Sequence, residues 1–207
     1  MSIPFRGTCM TCKKELPKSQ MTSHLGRCLR GDEDRLHVVV DGRHAPIFWL
    51  HLALTPGATL GQLDSFLRKI WLECCFHLSE FKIGAEHYVS HPDDRDSQSL
   101  RHALSSLAPP GTELSHSYDF GTPTRLRLRV LRTLGCPPGR DSIHLLARNV
   151  LPPSTCVCGA VATQFCDACA DTWVDLCDRC ADDHDCDDPA LFPIVNSPRM
   201  GVCGYTG

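Results

Sequence analysis

The chain has 207 residues, an ordinary share of apolar and charged side chains, and a formal net charge of −3 at pH 7. This length favours one central core with smaller attachments over two large domains. The most apolar stretch, residues 45–55, is too short to span a bilayer, and the first residues lack the apolar region of a secretion signal. We therefore expect a soluble, cytoplasmic protein, and a membrane-embedded function is excluded.

The charge is unevenly distributed along the chain. Residues 1–30 carry six basic side chains and one acidic one, whereas residues 156–207 carry nine aspartates and two arginines. Asymmetry of this kind indicates different partners for the two ends. In a reducing cytoplasm the 14 cysteines are typical of metal ligands rather than disulfides.

The N-terminal region, residues 1–33, has nearly the spacing of a ββα zinc finger. Its second ligand pair is separated by four positions, so both members share one face of a helix. Ser19 is the expected cap of that helix. Two unrelated cysteine turns are the alternative interpretation. The four candidate ligands are Cys9, Cys12, His24 and Cys28.

Residues 34–150 predict an α+β domain that is built from hairpins and helices. Alternating or continuous apolar runs indicate the strands, and apolar residues at helical spacing indicate the helices. The predicted elements are strands over 36–40 and 45–54, a helix over 60–74, a strand over 76–88 with a turn at Gly84, a short helix over 97–107, a hairpin over 112–120 and 124–134, and a last strand over 142–149.

The first helix of this domain has a recognisable start. Thr59 and Gln62 form a capping box in front of the apolar repeat. Cys74 and Cys75 stand at the other end of the predicted helix. We expect them to be buried there, because a free cysteine behaves as a small apolar residue.

The second strand of the last hairpin alternates between leucine or valine and arginine. Arg125, Arg127 and Arg129 therefore point to one face of the sheet. Such a row is either a solvated surface or a face that contacts phosphates.

A cysteine-rich module, residues 151–190, follows the central domain. Each of its short turns can present two ligands to one metal, so eight ligands make two closed tetrahedral zinc sites. The odd number of cysteines and the tight turns disfavour a disulfide framework. The eight residues are Cys156, Cys158, Cys166, Cys169, Cys177, Cys180, His184 and Cys186.

The pairing of these eight ligands follows from their spacing. The gaps on either side of the second pair are equal and long enough for the first and third pairs to share one zinc, and the second and fourth the other. Sequential pairing is the alternative. A strap without a helix or strand long enough to stand alone follows over residues 191–207, and its Cys203 is an alternative ligand to Cys186. With the finger, the sequence predicts three zinc ions.

Four short motifs of the central region are similar to motifs of a known protein family. They are Pro46-Ile47-Phe48-Trp49, Thr59-Leu60, His77-Leu78-Ser79-Glu80-Phe81 and Tyr118-Asp119-Phe120-Gly121. With them, residues 35–150 resemble the plasmid pRiA4b Orf-three-like family. Members often continue with Asp and an aromatic residue, where this chain has Thr122-Pro123-Thr124. The resemblance implies a bacterial domain without a settled activity. Members of the family are sometimes labelled as transposon resolvases. No serine-recombinase signature occurs in the sequence.

The cysteine-rich module is similar in its spacing to a B-box type zinc module. That resemblance implies a protein-interaction role. Two more hypotheses remain beside it: an enzyme with a cleft near Asp119, His77 and Glu80, and an accessory protein of mobile-element recombination. Recognisable phosphate-binding loops, catalytic triads and open zinc motifs are absent from the sequence.

The strongest motifs are closed metal sites, which predict a non-catalytic zinc-binding interaction protein. The basic finger is expected to contact nucleic acid, and the acidic C-terminal end is expected to contact a protein. A purely structural finger is the alternative. The candidate nucleic-acid contacts are Lys13, Lys14, Lys18, Arg27 and Arg30 of the finger, together with Arg125, Arg127 and Arg129.

Overall fold

The computed structural model describes residues 5–92, 97–169, 173–186 and 188–207. Within these ranges the chain forms one sheet of ten strands and one of three, with short helices between them. The structure is α+β, as the sequence predicts. Residues 1–4 of the predicted finger, and residues 170–172 and 187 of the cysteine-rich module, lie outside the described part. None of the described helices is long and apolar enough to cross a membrane.

The strands of the large sheet are β1 (Arg6–Cys9), β2 (Glu15–Pro17), β3 (Glu33–Gly42), β4 (Trp49–Leu54), β5 (Ser79–Ile83), β6 (Glu86–Val89), β7 (Ser97–Ser99), β8 (Glu113–Tyr118), β9 (Thr124–Cys136) and β10 (Ile143–Asn149). The small sheet contains β11 (Gln164–Cys166), β12 (Val174–Leu176) and β13 (Leu191–Pro193). The helices are α1 (Lys18–Cys28), α2 (Leu60–Leu67), α3 (Leu104–Leu107) and α4 (Asp178–Asp182), and a π-helical turn, Arg68–Leu72, continues α2.

The order of the large sheet is β2-β1-β10-β4-β3-β9-β8-β5-β6-β7. All its neighbouring strands are antiparallel except β6 and β7. Its first two strands come from the predicted finger, because β1 pairs with β10 and Gly7 lies opposite Asn149. The finger and the central region therefore share one sheet.

Helices cover the two faces of this sheet. On one face, apolar residues of α2 and the π-helical turn, such as Leu63 and Trp71, join the main core. On the other face, Met21 and Leu25 of α1 pack in a second core with Trp49. The residues of β3 from 35 to 42 are all buried, because this strand lies between the two layers.

The first central helix begins as predicted and ends early. Thr59 and Gln62 make both hydrogen bonds of the capping box. The chain leaves the π-helical turn at Glu73, whose carboxylate accepts from Arg68 and from the backbone of Phe76. Cys74 is consequently half-buried and Cys75 is exposed, and the prediction of a buried helix end was wrong.

Two other local predictions need correction. Helix α1 begins at Lys18 without a side-chain cap, so Ser19 does not cap it. Pro17, at φ −57° and ψ 144°, takes the N-cap position instead, and its side chain has no oxygen that could accept from the first amides of the helix. The segment 97–107 is a helix only at its end, because its first residues form the edge strand β7, and pairing with β6 overrides their local preference.

Candidate metal centres and basic surface

The first predicted ligand group comes together at the edge of the large sheet. The ligand atoms of Cys9, Cys12, His24 and Cys28 all lie within 4.8 Å of one another. Cys9 and Cys28 Sγ are 3.9 Å apart, and Cys12 Sγ is 3.3 Å from His24 Nε2. A tetrahedral zinc site has edges of about 3.8 Å between sulfurs and about 3.5 Å between sulfur and nitrogen. The group therefore fits zinc.

Local structure explains how the finger brings these atoms together. Lys13 adopts a left-handed conformation, φ 62°, and its amide donates to the carbonyl of Cys9 at 2.9 Å. This turn presents Cys9 and Cys12 side by side. Helix α1 supplies His24 and Cys28 from successive turns, and its buried residues fix it against the sheet.

The cysteine-rich module contains two further groups, and they alternate along the chain. In one, Cys158 Sγ is 3.8 Å from Cys177 Sγ. In the other, Cys169 Sγ is 3.2 Å from His184 Nε2. The grouping is alternating rather than sequential, and Cys203 takes no part in it. The two sets are Cys156, Cys158, Cys177 and Cys180, and Cys166, Cys169, His184 and Cys186.

The thiols of these groups suit a metal rather than a disulfide. All 14 cysteines are free, and the sulfur separations far exceed the bond of about 2.05 Å in a disulfide. Backbone N–H groups, first that of Cys158 and also that of Cys177, lower the pKa of Cys156 to about 6. The thiolate of Cys156, the form that binds zinc, is therefore favoured at neutral pH.

The module has little core of its own. Within the described residues its buried cluster contains only Cys166, Leu176 and Ala181. Phe165 stacks on Trp173 with ring centroids 4.4 Å apart. Such a small core cannot stabilise a fold alone, so the ligand groups are needed to hold it.

The structure brings two sets of predicted nucleic-acid contacts together around one acid. Lys18 of α1 lies 2.6 Å from Asp41, while Arg127 and Arg129 of β9 lie 3.3 and 3.2 Å from it. Asp41 is almost completely buried, whereas both arginines are substantially exposed. An open cleft of about 500 Å³ lies between α1 and Arg129. The result is a basic surface, defined here by Lys18, Arg127 and Arg129.

The remaining predicted contacts surround this surface or lie further away. Arg125 is exposed at the next outward position of β9, and its carbonyl accepts from the amide of Arg43. Lys13 and Lys14 are exposed in the β1–β2 turn, close to the finger ligands. Arg27 and Arg30 are also exposed, in the last turn of α1 and just beyond it; no contact joins them to Asp41 among the described residues.

Two of the three residues of the enzyme hypothesis lie close together, and the third does not join them. His77 Nε2 lies 3.6 Å from Asp119 Oδ2, but Glu80 pairs instead with His87 on strand β6. Asp119 accepts hydrogen bonds from Arg199 at 2.8 Å and from the Gly121 amide at 2.9 Å. The bond from Arg199 lowers the pKa of Asp119, and its oxygens are occupied as hydrogen-bond acceptors.

Sequence reasoning missed a fourth ligand group, which consists of Cys74, Cys75, His77 and Cys203. The closely spaced Cys74, Cys75 and His77 were a usable signal. Their partner Cys203 follows His77 by 126 residues, so no spacing rule could join them. All but one of the 14 cysteines belong to the four groups, and the exception, Cys136, is buried in the second core.

Comparisons with known proteins give information on the fold of the chain and none on its function. No family model matches the chain, and no curated protein matches it. A crystal structure of a protein of unknown function from Methanosarcina mazei Go1 is similar over 56% of this chain and 70% of that one, at 18% identity and a TM-score of 0.50. The fold and the ligand groups together define an α+β protein with several Cys/His groups that could hold metal ions.

Proposed function

We propose that this chain is a non-catalytic zinc-binding interaction protein whose basic surface contacts a nucleic-acid backbone. The observation that supports this proposal most is that Lys18, Arg127 and Arg129 all contact the carboxylate of Asp41. Three cations share the carboxylate of Asp41, and Glu113 stands opposite Arg129 on the same sheet face, so three positive charges meet two negative ones and an excess of one remains. The proposal includes membership of the plasmid pRiA4b Orf-three-like family, which the four sequence motifs support.

The geometry of the surface suits phosphate groups. Arginine binds phosphate through a planar fork, and contacts of this kind position a protein on nucleic acid without reading its sequence. Asp41 is buried between the side chains and orients them, while their outer parts stay exposed. Next to them on the same sheet face stand Ser115 and Ser117 of β8, both half-exposed, which can also donate to phosphate oxygens.

The acidic end of the chain has a different role in this proposal. The cysteine-rich module binds two zinc ions in closed sites, which hold a fold together and leave no position for a substrate. Its aspartates repel a polyanion, so we assign this end to a protein partner. The finger binds the third predicted zinc and fixes α1 beside β9.

Nucleic-acid binding is tested by titrating a labelled duplex and a labelled single strand at about 50 and 200 mM salt. The double variant Arg127→Gln, Arg129→Gln should weaken duplex binding at low salt at least about tenfold and reduce the salt slope by about 2. Lys69→Gln with Arg101→Gln is the matched control, since these exposed residues belong to the segments on the α2 side of the sheet. It should leave binding unchanged.

Two results of this titration would contradict the proposal. If neither probe binds at low salt, the finger is a structural layer of the sheet and the basic surface is only solvated. If both double variants weaken binding equally, the attraction is due to total charge and not to this surface.

A further inference from the structure

We propose that Cys74, Cys75, His77 and Cys203 form a fourth zinc site, which holds the C-terminal segment, residues 195–207, against the end of the central sheet. The segment and the three other ligands lie far apart in sequence, with 128 positions between Cys75 and Cys203. The inference is independent of nucleic-acid binding.

The distances agree with a metal-bound group. Cys75 Sγ lies 3.5 Å from Cys203 Sγ, and His77 Nε2 lies 3.4 Å from the same sulfur. All four ligand atoms are within 4.8 Å of one another, as in the three predicted groups. Three thiolates and one imidazole are a closed donor set of structural zinc.

Backbone conformation on both sides of the site points to a built arrangement. Phe76, between two of the ligands, has φ 60°, and Cys203 has φ 52°. Non-glycine residues rarely adopt this left-handed region, and they keep it where surrounding contacts hold them. Gly201 and Gly204, at φ 75° and 65°, allow the chain to turn tightly on either side of Cys203. Metal–ligand bonds at Cys203 supply the contact that this exposed turn needs.

The surroundings complement the charge of such a site. A zinc ion with three thiolates and a neutral imidazole carries one net negative charge. Arg199 is completely buried, and its Nε donates to Cys74 Sγ at 3.3 Å. A hydrogen bond from a cation to a coordinating sulfur both orients the ligand and offsets its charge.

The hydrogen bonds that attach the segment to the rest of the protein lie before Cys203. Ser197 Oγ donates to the carbonyl of Trp71 at 2.6 Å, and Arg148 donates to the carbonyl of Asn196 at 2.6 Å. After Arg199, only Tyr205 is buried among the segment's residues. The proposed zinc and the buried side chain of Tyr205 therefore hold the last part of the chain, and removal of the zinc exposes the peptide bond that follows Arg199.

Metal content tests the site directly. Protein purified in reductant without added metal should contain four zinc ions per chain by elemental analysis. The single variants Cys203→Ser and His77→Gln should each contain three zinc ions. The double variant should also contain three, because the two substitutions remove the same site. Cys136→Ala, the cysteine outside all groups, should keep four. A wild-type value of three that neither variant changes would overturn the proposal, and Cys75→Ser replaces any variant that fails to fold.

Limited proteolysis tests the attachment. Trypsin should release residues 200–207 from Cys203→Ser at least about tenfold faster than from the wild type, because cleavage after buried Arg199 requires local opening. Unchanged protection would show that Arg199 holds the segment without zinc. Faster release with an unchanged zinc content would assign Cys203 a packing role and overturn the metal site.

Discussion

The Arg199 guanidinium donates to Asp119 Oδ2 at 2.8 Å and joins two residues that lie 80 positions apart. Both side chains are buried, and Arg199 also donates to Thr124 Oγ1 at 3.0 Å. Asp119 is the acidic residue of the Tyr-Asp-Phe-Gly motif. In this chain it anchors the C-terminal segment.

Replacing Arg199 by methionine should destabilise the protein by about 3 kcal/mol, because it leaves a buried carboxylate without its partner. Urea unfolding of the wild type and variant measures the difference. Arg101→Met is the control at an exposed arginine and should change stability by less than about 0.5 kcal/mol. A similarly small effect of Arg199→Met would show that the ion pair contributes little.

Asp41→Asn should strengthen binding to a nucleic-acid duplex at low salt. The substitution removes the anion that Lys18, Arg127 and Arg129 share, so the cations become available to phosphates. We expect a several-fold gain in affinity and a salt slope that is steeper by about 1, measured by the same titration. Lower stability without any gain in affinity would indicate that Asp41 and its partners only support the fold.

Chelation should open the cysteine-rich module before the finger. The module has a small core, whereas the finger packs Met21 and Leu25 against Trp49 and pairs β1 with β10. Hydrogen exchange read by mass spectrometry after addition of a chelator measures the order. Amides of residues 156–186 should lose protection first. Simultaneous loss in both regions would mean that the finger depends on its metal as strongly as the module does.

The buried pair His37 and His51 should make stability fall as the pH is lowered. Burial lowers the pKa of His37 to about 4 and that of His51 to about 3, and nearby Arg132 adds to the effect at His37. Both are therefore neutral in the native state and take up protons on unfolding between about pH 4 and 6.5. The stabilisation is fully present above pH 6.5 and is lost on acidification, by about 1.4 kcal/mol per pH unit for each histidine.

Urea unfolding at pH 6 and pH 5 measures this dependence. His37→Gln should lose about 1 kcal/mol less stability than the wild type between the two values. Protonation of thiolate ligands affects both proteins equally, so the comparison isolates the histidine. Parallel curves would show that His37 is protonated in the native state as readily as in the unfolded chain.

Local patterns predicted much of the structure. The capping box at Thr59, the alternation along β9 and the turn at Gly84 each depend on neighbouring residues, and each is found where expected. Close ligand pairs likewise indicated which cysteines and histidines come together in the finger and in the cysteine-rich module.

What the sequence did not show depends on distant contacts. The pairing of β1 with β10 joins residues from opposite ends of the sheet-forming region. The fourth ligand group needs Cys203 to meet residues that precede it by more than 120 positions. No local periodicity carries such information, because it follows from how layers pack after the local elements have formed. The family resemblance stays a prediction.

The partnership of β1 and β10 also bears on how the chain emerges from the ribosome. Gly7 and Asn149 lie opposite each other in this pairing. Strand β10, the second neighbour of β1, is therefore synthesised only when almost three quarters of the polypeptide is complete. Pairings of such long sequence separation form slowly, since a large loop must close first. Until then the finger residues can form only the hairpin with β2 and can bind metal locally. Early metal capture would give the nascent N-terminus a defined shape and shield an unpaired strand edge from other chains.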